Sequence, residues 1–230
     1  MLVVIEGVDG SGKQTQSQML GDRLNEKFEI RRLTFPNYES ETSALVKMYL
    51  GGQFGIRPES VNAYASSSFY AVDRIGSFLK DWHEDYEKGK FILCDRYTTS
   101  NAVHQAGKLE GREKDLYLDW LFDYEYRLLG LPKPDLVFFL DVPPCVSREL
   151  MKNRNNKITG ETEKDIHERS DDFMEKSYNN ALYVAKKCGW YVVDCVKDGK
   201  LRSADDINDE IYGAVIKMHS ETPKGMLQEI

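Results

Sequence analysis

The 230-residue chain lacks several features that would assign it to a special class of protein. No apolar run approaches the ~18 residues that a membrane-spanning helix needs. The short apolar run at residues 2–5 ends in Glu6, which is typical of a strand rather than of a signal peptide. The four cysteines show no CxxC or metal-ligand spacing, so we expect reduced thiols in a cytoplasmic protein.

Positive charge is also scarce. The chain has 31 Lys and Arg against 38 Asp and Glu, which gives a net charge of −7. Such a balance disfavours binding to a nucleic acid polymer, but it leaves room for a local basic pocket that holds a nucleotide. The chain also contains no internal repeat, low-complexity segment or linker. We therefore expect a single domain over residues 1–230.

Short apolar runs alternate with helical patterns along the chain. The runs lie at residues 2–5, 30–35, 91–94, 136–140 and 191–193. Helical patterns cover residues 58–87, where Pro58 opens the helix, and residues 115–128 and 165–187. This alternation predicts an α/β fold with a five-stranded parallel sheet and helices on both faces. In such sheets, catalytic residues lie at the carboxyl ends of the strands.

The first strand leads into a glycine-rich loop with the sequence GVDGSGK. Glycines let successive N–H groups point at one anion, and the following helix adds its positive N-terminal end. Lys13 supplies a mobile cation for the β- and γ-phosphates. A glycine-rich turn that merely precedes a helix is the ordinary alternative. The predicted ATP-binding residues are Gly7, Gly10, Ser11, Gly12, Lys13, Gln14 and Thr15.

Other strand ends carry chemistry as well. The third ends in Asp95-Arg96, where the carboxylate could hold Mg²⁺ and the guanidinium could clamp a phosphate. A surface ion pair between the two side chains is the ordinary alternative. Asp9 lies inside the glycine-rich loop, where a carboxylate would repel phosphates unless it faced another partner, such as a sugar hydroxyl. The ordinary alternative is an aspartate that forms the turn by a hydrogen bond to its own backbone.

Two further segments are candidates for substrate contacts. Tyr70 and Arg74 are four residues apart and share a helix face, where the ring could stack on a base and the guanidinium could bind it. The alternatives are core packing for Tyr70 and a solvated salt bridge for Arg74. The polar segment at residues 153–160 predicts a mobile lid of about residues 153–163, in which Arg154 and Lys157 could neutralise phosphate charge. An ordinary exposed loop fits this segment equally well. His104 and His167 have no ligand partners at metal spacing, so we interpret both as structural or surface residues.

Taken in order, these segments resemble the thymidylate kinase family of P-loop nucleoside monophosphate kinases over nearly the whole chain. The segments are IEGVDGSGKQTQ, FPNYESETSALVKMYL, SSFYAVDR, CDRYTTSNAVHQAGK and GLPKPDLVFFLDVPP. The resemblance implies a P-loop NTPase-like fold with a mobile lid, Mg²⁺ as cofactor, and transfer of the γ-phosphoryl of ATP to dTMP. It also implies a homodimer, formed through the aromatic helix near Trp120 and Phe122.

The resemblance also implies roles for single residues. Lys13 matches the lysine of the ATP loop. Asp9 matches the acidic residue that contacts the 3′-hydroxyl of the deoxyribose, and Tyr70 matches the aromatic residue that stacks on thymine. Arg74 matches the arginine that binds a thymine carbonyl. Asp95 and Arg96 match the pair near Mg²⁺ and the acceptor phosphate, and Arg154 matches a lid arginine. The remaining implied substrate contacts are Phe35, Pro36, Ser100 and Gln105.

Three departures from the family pattern qualify these roles. Gln14 stands where a hydroxyl would bind Mg²⁺. Asn37 and Tyr38 stand where some relatives have an arginine for the acceptor phosphate, and the Gly-Ser-Gly loop lacks the arginine of other relatives. Arg154 is the candidate that compensates. A kinase for another acceptor, such as dUMP, dCMP or a nucleoside, remains an alternative. So does a non-catalytic nucleotide switch, although the chain has no NKxD base motif.

Overall fold

The computed structural model describes residues 1–151 and 171–221 of the chain. Its centre is a parallel sheet of five strands in the order β2-β3-β1-β4-β5. The strands are β1 (Leu2–Glu6), β2 (Ile30–Thr34), β3 (Phe91–Asp95), β4 (Leu136–Asp141) and β5 (Tyr191–Asp194). A small antiparallel hairpin follows, made of β6 (Val196–Lys197) and β7 (Lys200–Leu201). The predicted strands and their parallel arrangement are confirmed.

Helices connect the strands and cover both faces of the sheet. They are α1 (Lys13–Asn25), α2 (Ala44–Leu50), α3 (Ala63–Ser77), α4 (His83–Glu87), α5 (Thr98–His104), α6 (Gly111–Phe122), α7 (Pro144–Met151), α8 (Asp171–Cys188) and α9 (Ala204–Glu221). π-helical segments at Phe78–Trp82 and Asp123–Leu128 extend α3 into α4 and prolong α6. Across the part of the chain that the structure describes, none of the helices has the length and apolar character to cross a membrane.

Strand β1 shows why its sequence is apolar throughout. Val3 and Ile5 face one core, which includes residues of α1 and α9, whereas Leu2 and Val4 face a second core around Trp82. All four side chains are completely buried. A strand that is covered on both sides has no solvent face, and it therefore has no polar alternation.

The predicted helix boundaries are less accurate than the strands. The helix expected over residues 58–87 does not begin at Pro58, because Pro58–Ser60 is only a 3₁₀ turn. Helix α3 begins at Ala63, where the Asn62 side chain accepts a hydrogen bond from the Ala65 N–H at 2.9 Å and caps the helix. The helix expected over residues 115–128 begins earlier, at Gly111.

The strand order brings three chain segments together at one edge of the sheet. Ile5 pairs with Asp95 in β3, and Thr34 pairs with the same residue from the other side. The ends of β1, β2 and β3 are therefore neighbours. The loops that follow them meet in one region, and the predicted site residues lie there.

Candidate active site

The loop between β1 and α1 has the backbone that a phosphate-binding loop requires. Gly10 and Gly12 take positive φ angles of 81° and 84°, which L side chains rarely adopt. A Cβ atom at Gly10 would lie 2.6 Å from the carbonyl oxygen of Ser147, so only glycine lets the loop approach α7 this closely. Helix α1 begins at Lys13, and the positive end of its dipole lies at the loop.

The Lys13 side chain folds back across this loop. Its Nζ donates a hydrogen bond to the carbonyl oxygen of Val8 at 2.7 Å and a longer one to Ser11 Oγ at 3.5 Å. Burial, and then the nearby charge of Arg96, lowers the pKa of Lys13 from 10.5 to about 7. An incoming phosphate would supply the negative charge that favours the protonated form.

A cavity of about 320 Å³ opens at the carboxyl ends of β1, β2 and β3. It brings together most of the predicted site residues that lie outside the loop glycines, namely Asp9, Gln14, Phe35, Pro36, Tyr70, Arg74, Asp95, Arg96, Ser100 and Gln105. Other wall residues were not predicted as site residues: Thr34, Tyr38, Leu50, Tyr97, Asn101 and His104. Thr15 is exposed and is not part of this wall.

Arg96 is a cation of the cavity wall, with 13% of its side chain exposed. Its Nη2 donates to Asp9 Oδ1 at 2.5 Å, and its Nη1 lies 3.3 Å from Ser100 Oγ and 3.0 Å from His104 Nε2. Burial works to lower the pKa of Arg96, but the carboxylates of Asp9 and Glu6 outweigh burial and raise that pKa above its ordinary value. Arg96 is therefore charged at every pH at which the protein is folded.

The pairing with Arg96 gives the Asp9 carboxylate a cationic partner inside the protein. The turn that Asp9 helps to form is not its only role, because its Oδ1 contacts a residue of the neighbouring strand end. Contact between Asp9 and a sugar 3′-hydroxyl stays a prediction. An ion pair between Asp95 and Arg96 was the ordinary alternative for that dipeptide, and Arg96 instead pairs with Asp9 and Glu6.

Glu6 is a functional residue that the sequence analysis missed. It is completely buried, and its Oε1 accepts the Gly7 N–H at 2.9 Å. Its Oε2 accepts the hydroxyls of Thr99 at 2.9 Å and Ser100 at 2.7 Å, while Arg96 Nη1 lies 3.6 Å from Oε1. The carboxylate thus ties the phosphate loop to α5 and to Arg96. The sequence pattern that could have identified Glu6 is an acidic residue directly after an apolar strand, because a charge that is buried there needs partners.

Asp95 fits the magnesium role that its position predicts. Its Oδ1 is buried and makes no hydrogen bond within the described residues, and the residue lines the cavity. A bare carboxylate oxygen suits a hard cation such as Mg²⁺. Residues 1–151 and 171–221 contain no group of three or more His, Cys, Asp or Glu side chains that could hold a metal.

Tyr70 and Arg74 both reach the cavity from α3, as their spacing predicts. Tyr70 is half-buried, and its ring meets the Tyr49 ring edge-on with the centroids 6.4 Å apart. Arg74 is 1% exposed, and its Nε and Nη2 donate to the Glu125 carboxylate at 2.6 and 2.5 Å. A salt bridge was the ordinary alternative for Arg74; the bridge exists, but it is buried rather than solvated.

The segment after β2 is fixed to α3 by Asp73. Asp73 Oδ2 accepts the Asn37 N–H at 2.8 Å, and Oδ1 accepts the Thr42 hydroxyl at 2.7 Å. Burial raises the pKa of Asp73, and these two hydrogen bonds oppose the rise. Phe35 N–H also bonds the carbonyl oxygen of Asp95 at 3.0 Å. The Phe35-Pro36 wall is thus held from two sides.

The end of α5 differs from expectation at His104. The structure places His104 in the cavity wall, 8% exposed and in contact with Arg96, with its ring stacked on Phe173 at 6.2 Å. The sequence predicts a structural or surface residue at this position, whereas the structure shows a buried histidine that also lines the cavity. The neighbouring Gln105 lines the cavity as predicted, and its Oε1 accepts the Ser66 hydroxyl at 2.8 Å.

The predicted lid lies outside the described residues. This applies to the whole of residues 153–163, including Arg154 and Lys157, and to His167. The lid and the role of Arg154 stay predictions.

Comparison with known proteins gives a single family. The family model for thymidylate kinase matches residues 5–205. Thymidylate kinase of Plasmodium falciparum is 29% identical over 221 residues, which cover 95% of this chain and 91% of that protein. Thymidylate kinase of Mycobacterium tuberculosis is 30% identical over 195 residues, which cover 83% of this chain and 87% of that one.

A solved structure agrees with the family in fold. The crystal structure of thymidylate kinase from Ehrlichia chaffeensis matches with a TM-score of 0.64 at 19% identity, and the match covers 94% of this chain and 98% of that chain. The five-stranded parallel sheet with helices on both faces is thus the fold of a P-loop kinase. The chain belongs to the thymidylate kinase family and is an ATP-dependent nucleoside monophosphate kinase.

Proposed function

We propose that this enzyme transfers the γ-phosphoryl group of ATP to dTMP and releases dTDP and ADP. One observation carries the proposal. A single cavity joins the edge of the phosphate loop, the Asp95-Arg96 strand end and the Tyr70–Arg74 face of α3. A donor phosphate, an acceptor phosphate and a base can therefore be held side by side, which is what phosphoryl transfer requires.

Residues of the loop and of β3 act on the phosphates. The N–H groups of the loop from Gly7 to Gly12 hold the ATP phosphates, and Lys13 carries positive charge to the β- and γ-phosphates. Arg96 binds the acceptor phosphate with its fork of donors. Gln14 and Thr15 contribute to the donor side. The acceptor oxygen is already ionised, so no general base is needed.

Asp95 is the proposed Mg²⁺ ligand. Bound Mg²⁺ neutralises charge on the β- and γ-phosphates. Asp95 is suited to hold it because its Oδ1 is buried and makes no hydrogen bond within the described residues.

The other cavity residues bind the nucleoside of dTMP. Tyr70 stacks on the base, and Arg74 donates to a base carbonyl. Phe35, Pro36, Ser100 and Gln105 complete the walls, and Asp9 accepts from the 3′-hydroxyl while it also holds Arg96. Arg154, from the predicted lid, adds positive charge to the transferring group. The chain acts as one domain over residues 1–230.

A homodimer is the proposed assembly. Large apolar side chains are exposed on α3, α6 and the π-helical segments that extend them: Val72, Leu79, Leu116 and Leu128, at 45%, 70%, 53% and 60%. We call these four residues the α3/α6 apolar face. Trp120 itself packs within the chain, on Tyr64 and Tyr124. We take these four residues as parts of one surface that a partner covers, because a contiguous exposed apolar patch is typical of an interface. The four cysteines are free, which is consistent with the cytoplasm.

A coupled assay of ADP release with a panel of nucleoside monophosphates tests the function. With ATP and Mg²⁺, dTMP should stimulate turnover well above the ATPase background and above other monophosphates. The same assay without Mg²⁺ should show only background. No stimulation by dTMP would overturn the proposal.

A further inference from the structure

Glu125 is a buried carboxylate that joins two walls of the cavity. It is completely buried in the π-helical segment Asp123–Leu128. Its Oε2 accepts Arg74 Nε at 2.6 Å and the Thr98 hydroxyl at 2.7 Å. Its Oε1 accepts Arg74 Nη2 at 2.5 Å and Asn101 Nδ2 at 3.1 Å. Every partner is a donor, so both carboxylate oxygens are used to orient groups on α3 and α5.

The first consequence concerns Arg74. Two of its three nitrogens, Nε and Nη2, donate to Glu125, and within the described residues these are its side-chain hydrogen bonds, which leaves Nη1 available. Arg74 lines the cavity. Because the guanidinium is planar and held at two points, its remaining donor group has one fixed direction. Glu125 thereby presents a hydrogen-bond donor to the site.

The second consequence concerns Asn101. Its Nδ2 donates to Glu125 Oε1 and also to the carbonyl oxygen of Ser67 at 3.2 Å. Both amide hydrogens therefore face atoms that only accept, which fixes the amide orientation without ambiguity. Within the described part of the chain, the side-chain hydrogen bonds of Asn101 are those of Nδ2, so Oδ1 is left available, and Asn101 lines the cavity. By binding Nδ2, Glu125 thus leaves Asn101 Oδ1 as a hydrogen-bond acceptor for a ligand in the cavity.

We propose that Glu125 is a positioning residue that makes the base site selective for 4-oxo pyrimidines over 4-amino pyrimidines. This inference rests on the proposed function. Thymine presents an O4 acceptor beside an N3–H donor, and these complement a donor from Arg74 and an acceptor from Asn101. Cytosine presents the reverse pair, a 4-amino donor beside an N3 acceptor, so both contacts would be repulsive.

The substitution Glu125→Gln tests the role directly. The introduced NH₂ group would meet donors at either oxygen position. Asn101 could then turn its amide and accept from the new glutamine, which would place Nδ2 toward the site. A donor in that place favours cytosine N3. The change should therefore weaken dTMP use and strengthen dCMP use relative to wild type, which a merely structural defect would not do.

Asp123→Asn is the matched control. Asp123 lies two residues earlier in the same segment, and its exposed carboxylate pairs on the surface with Arg127, its one ion-pair partner among the described residues. The substitution makes the same chemical change without touching the cavity. Since loss of a buried ion-pair partner can prevent folding, Glu125→Asp serves as a second variant. It keeps the negative charge and withdraws the carboxylate by one methylene.

The measurement is kcat and KM for dTMP and for dCMP, with KM for ATP as a check on the donor site. In Glu125→Gln, the ratio of kcat/KM for dTMP to that for dCMP should fall by about tenfold or more. Most of the change should appear in KM for dTMP, with KM for ATP unchanged. Glu125→Asp should shift the ratio in the same direction but less, and Asp123→Asn should match wild type.

The outcomes separate the two proposals. If folded Glu125→Gln keeps the wild-type ratio, the positioning role of Glu125 is wrong, although dTMP kinase activity stands. If Glu125→Gln does not fold, the ratio in Glu125→Asp decides, and an unchanged ratio there overturns the role. If wild-type enzyme does not turn over dTMP, the proposed function itself fails.

Discussion

At the scale of single residues, the ammonium group of Lys13 is buried, and burial disfavours its charged form. Burial and Arg96 lower its pKa to about 7, so above that pH the free protein holds it largely neutral. The unfolded chain keeps the ordinary pKa of 10.5 and binds more protons between these values. The lowered pKa is therefore a cost to stability that is fully present below about pH 7 and fades as the pH rises toward 10.5.

The low pKa of Lys13 predicts that ATP binding is coupled to proton uptake. Bound phosphates favour the ammonium form, so at about pH 8.5 binding should take up roughly one proton and affinity should weaken as the pH rises above 7. Calorimetry of ATP binding in buffers of different ionisation enthalpy measures this uptake. Lys13→Met should lose it, which separates the lysine from the titration of ATP itself. Equal uptake in both proteins would contradict the assignment.

Arg96 depends on geometry as well as charge. Its Nη2 contacts Asp9, and its Nη1 contacts both Ser100 and His104. Arg96→Lys keeps the positive charge but cannot fork between oxygens, so we expect kcat/KM to fall about a hundredfold. Steady-state kinetics measure this, with Arg127→Lys, a surface arginine paired with Asp123, as the control. Near-normal rates in Arg96→Lys would show that charge alone is enough.

At the scale of secondary structure, the parallel sheet could be predicted because its central strands are buried on both faces and are therefore apolar almost throughout. The run LVFFL in β4 is apolar throughout, as a strand covered on both faces must be. The glycine-rich loop and the Asp95-Arg96 strand end could be found for a similar reason. In both, the residues that could bind phosphate or metal lie within a few positions of a strand end.

The missed site residues depend on contacts between distant parts of the chain. Glu125 meets Arg74 across 51 residues, and Glu6 meets Ser100 across 94. Nothing in the local pattern around Glu125 distinguishes it from the exposed Asp123. The start of α3 was misplaced for another reason. Pro58 is a common first residue of helices, but here it opens only a 3₁₀ turn, and Asn62 forms the cap.

The cap at Asn62 gives a prediction about stability alone. Asn62→Ala removes the side-chain acceptor of the Ala65 N–H and should lower the free energy of unfolding by about 1 kcal/mol. Urea unfolding measures this. Asn25→Ala, at the exposed last position of α1, is a control that removes no helix-capping hydrogen bond among the described residues and should change stability less. KM for dTMP should not change in either variant.

At the scale of the whole molecule, the helical run from α3 to α4 carries both cavity residues and part of the proposed dimer surface. One side of α3 carries Tyr70 and Arg74 to the cavity. The same run carries the exposed Val72 and Leu79 of the α3/α6 apolar face. A partner that covers this face would hold α3 in place, so loss of the dimer should affect base binding before it affects ATP binding.

Leu79→Glu therefore tests assembly and its link to function together. A charge at a 70% exposed position should change the stability of a monomer little. In an interface, the same charge would lose its water without gaining an ion-pair partner, and this would destabilise the dimer. Sedimentation should show a monomer at concentrations where wild type is a dimer, with KM for dTMP raised and KM for ATP nearly unchanged. Leu201→Glu, at a 43% exposed leucine of the β6–β7 hairpin, is the matched control and should remain dimeric. A wild-type protein that sediments as a monomer, or a Leu79→Glu dimer, would contradict the assignment of this face.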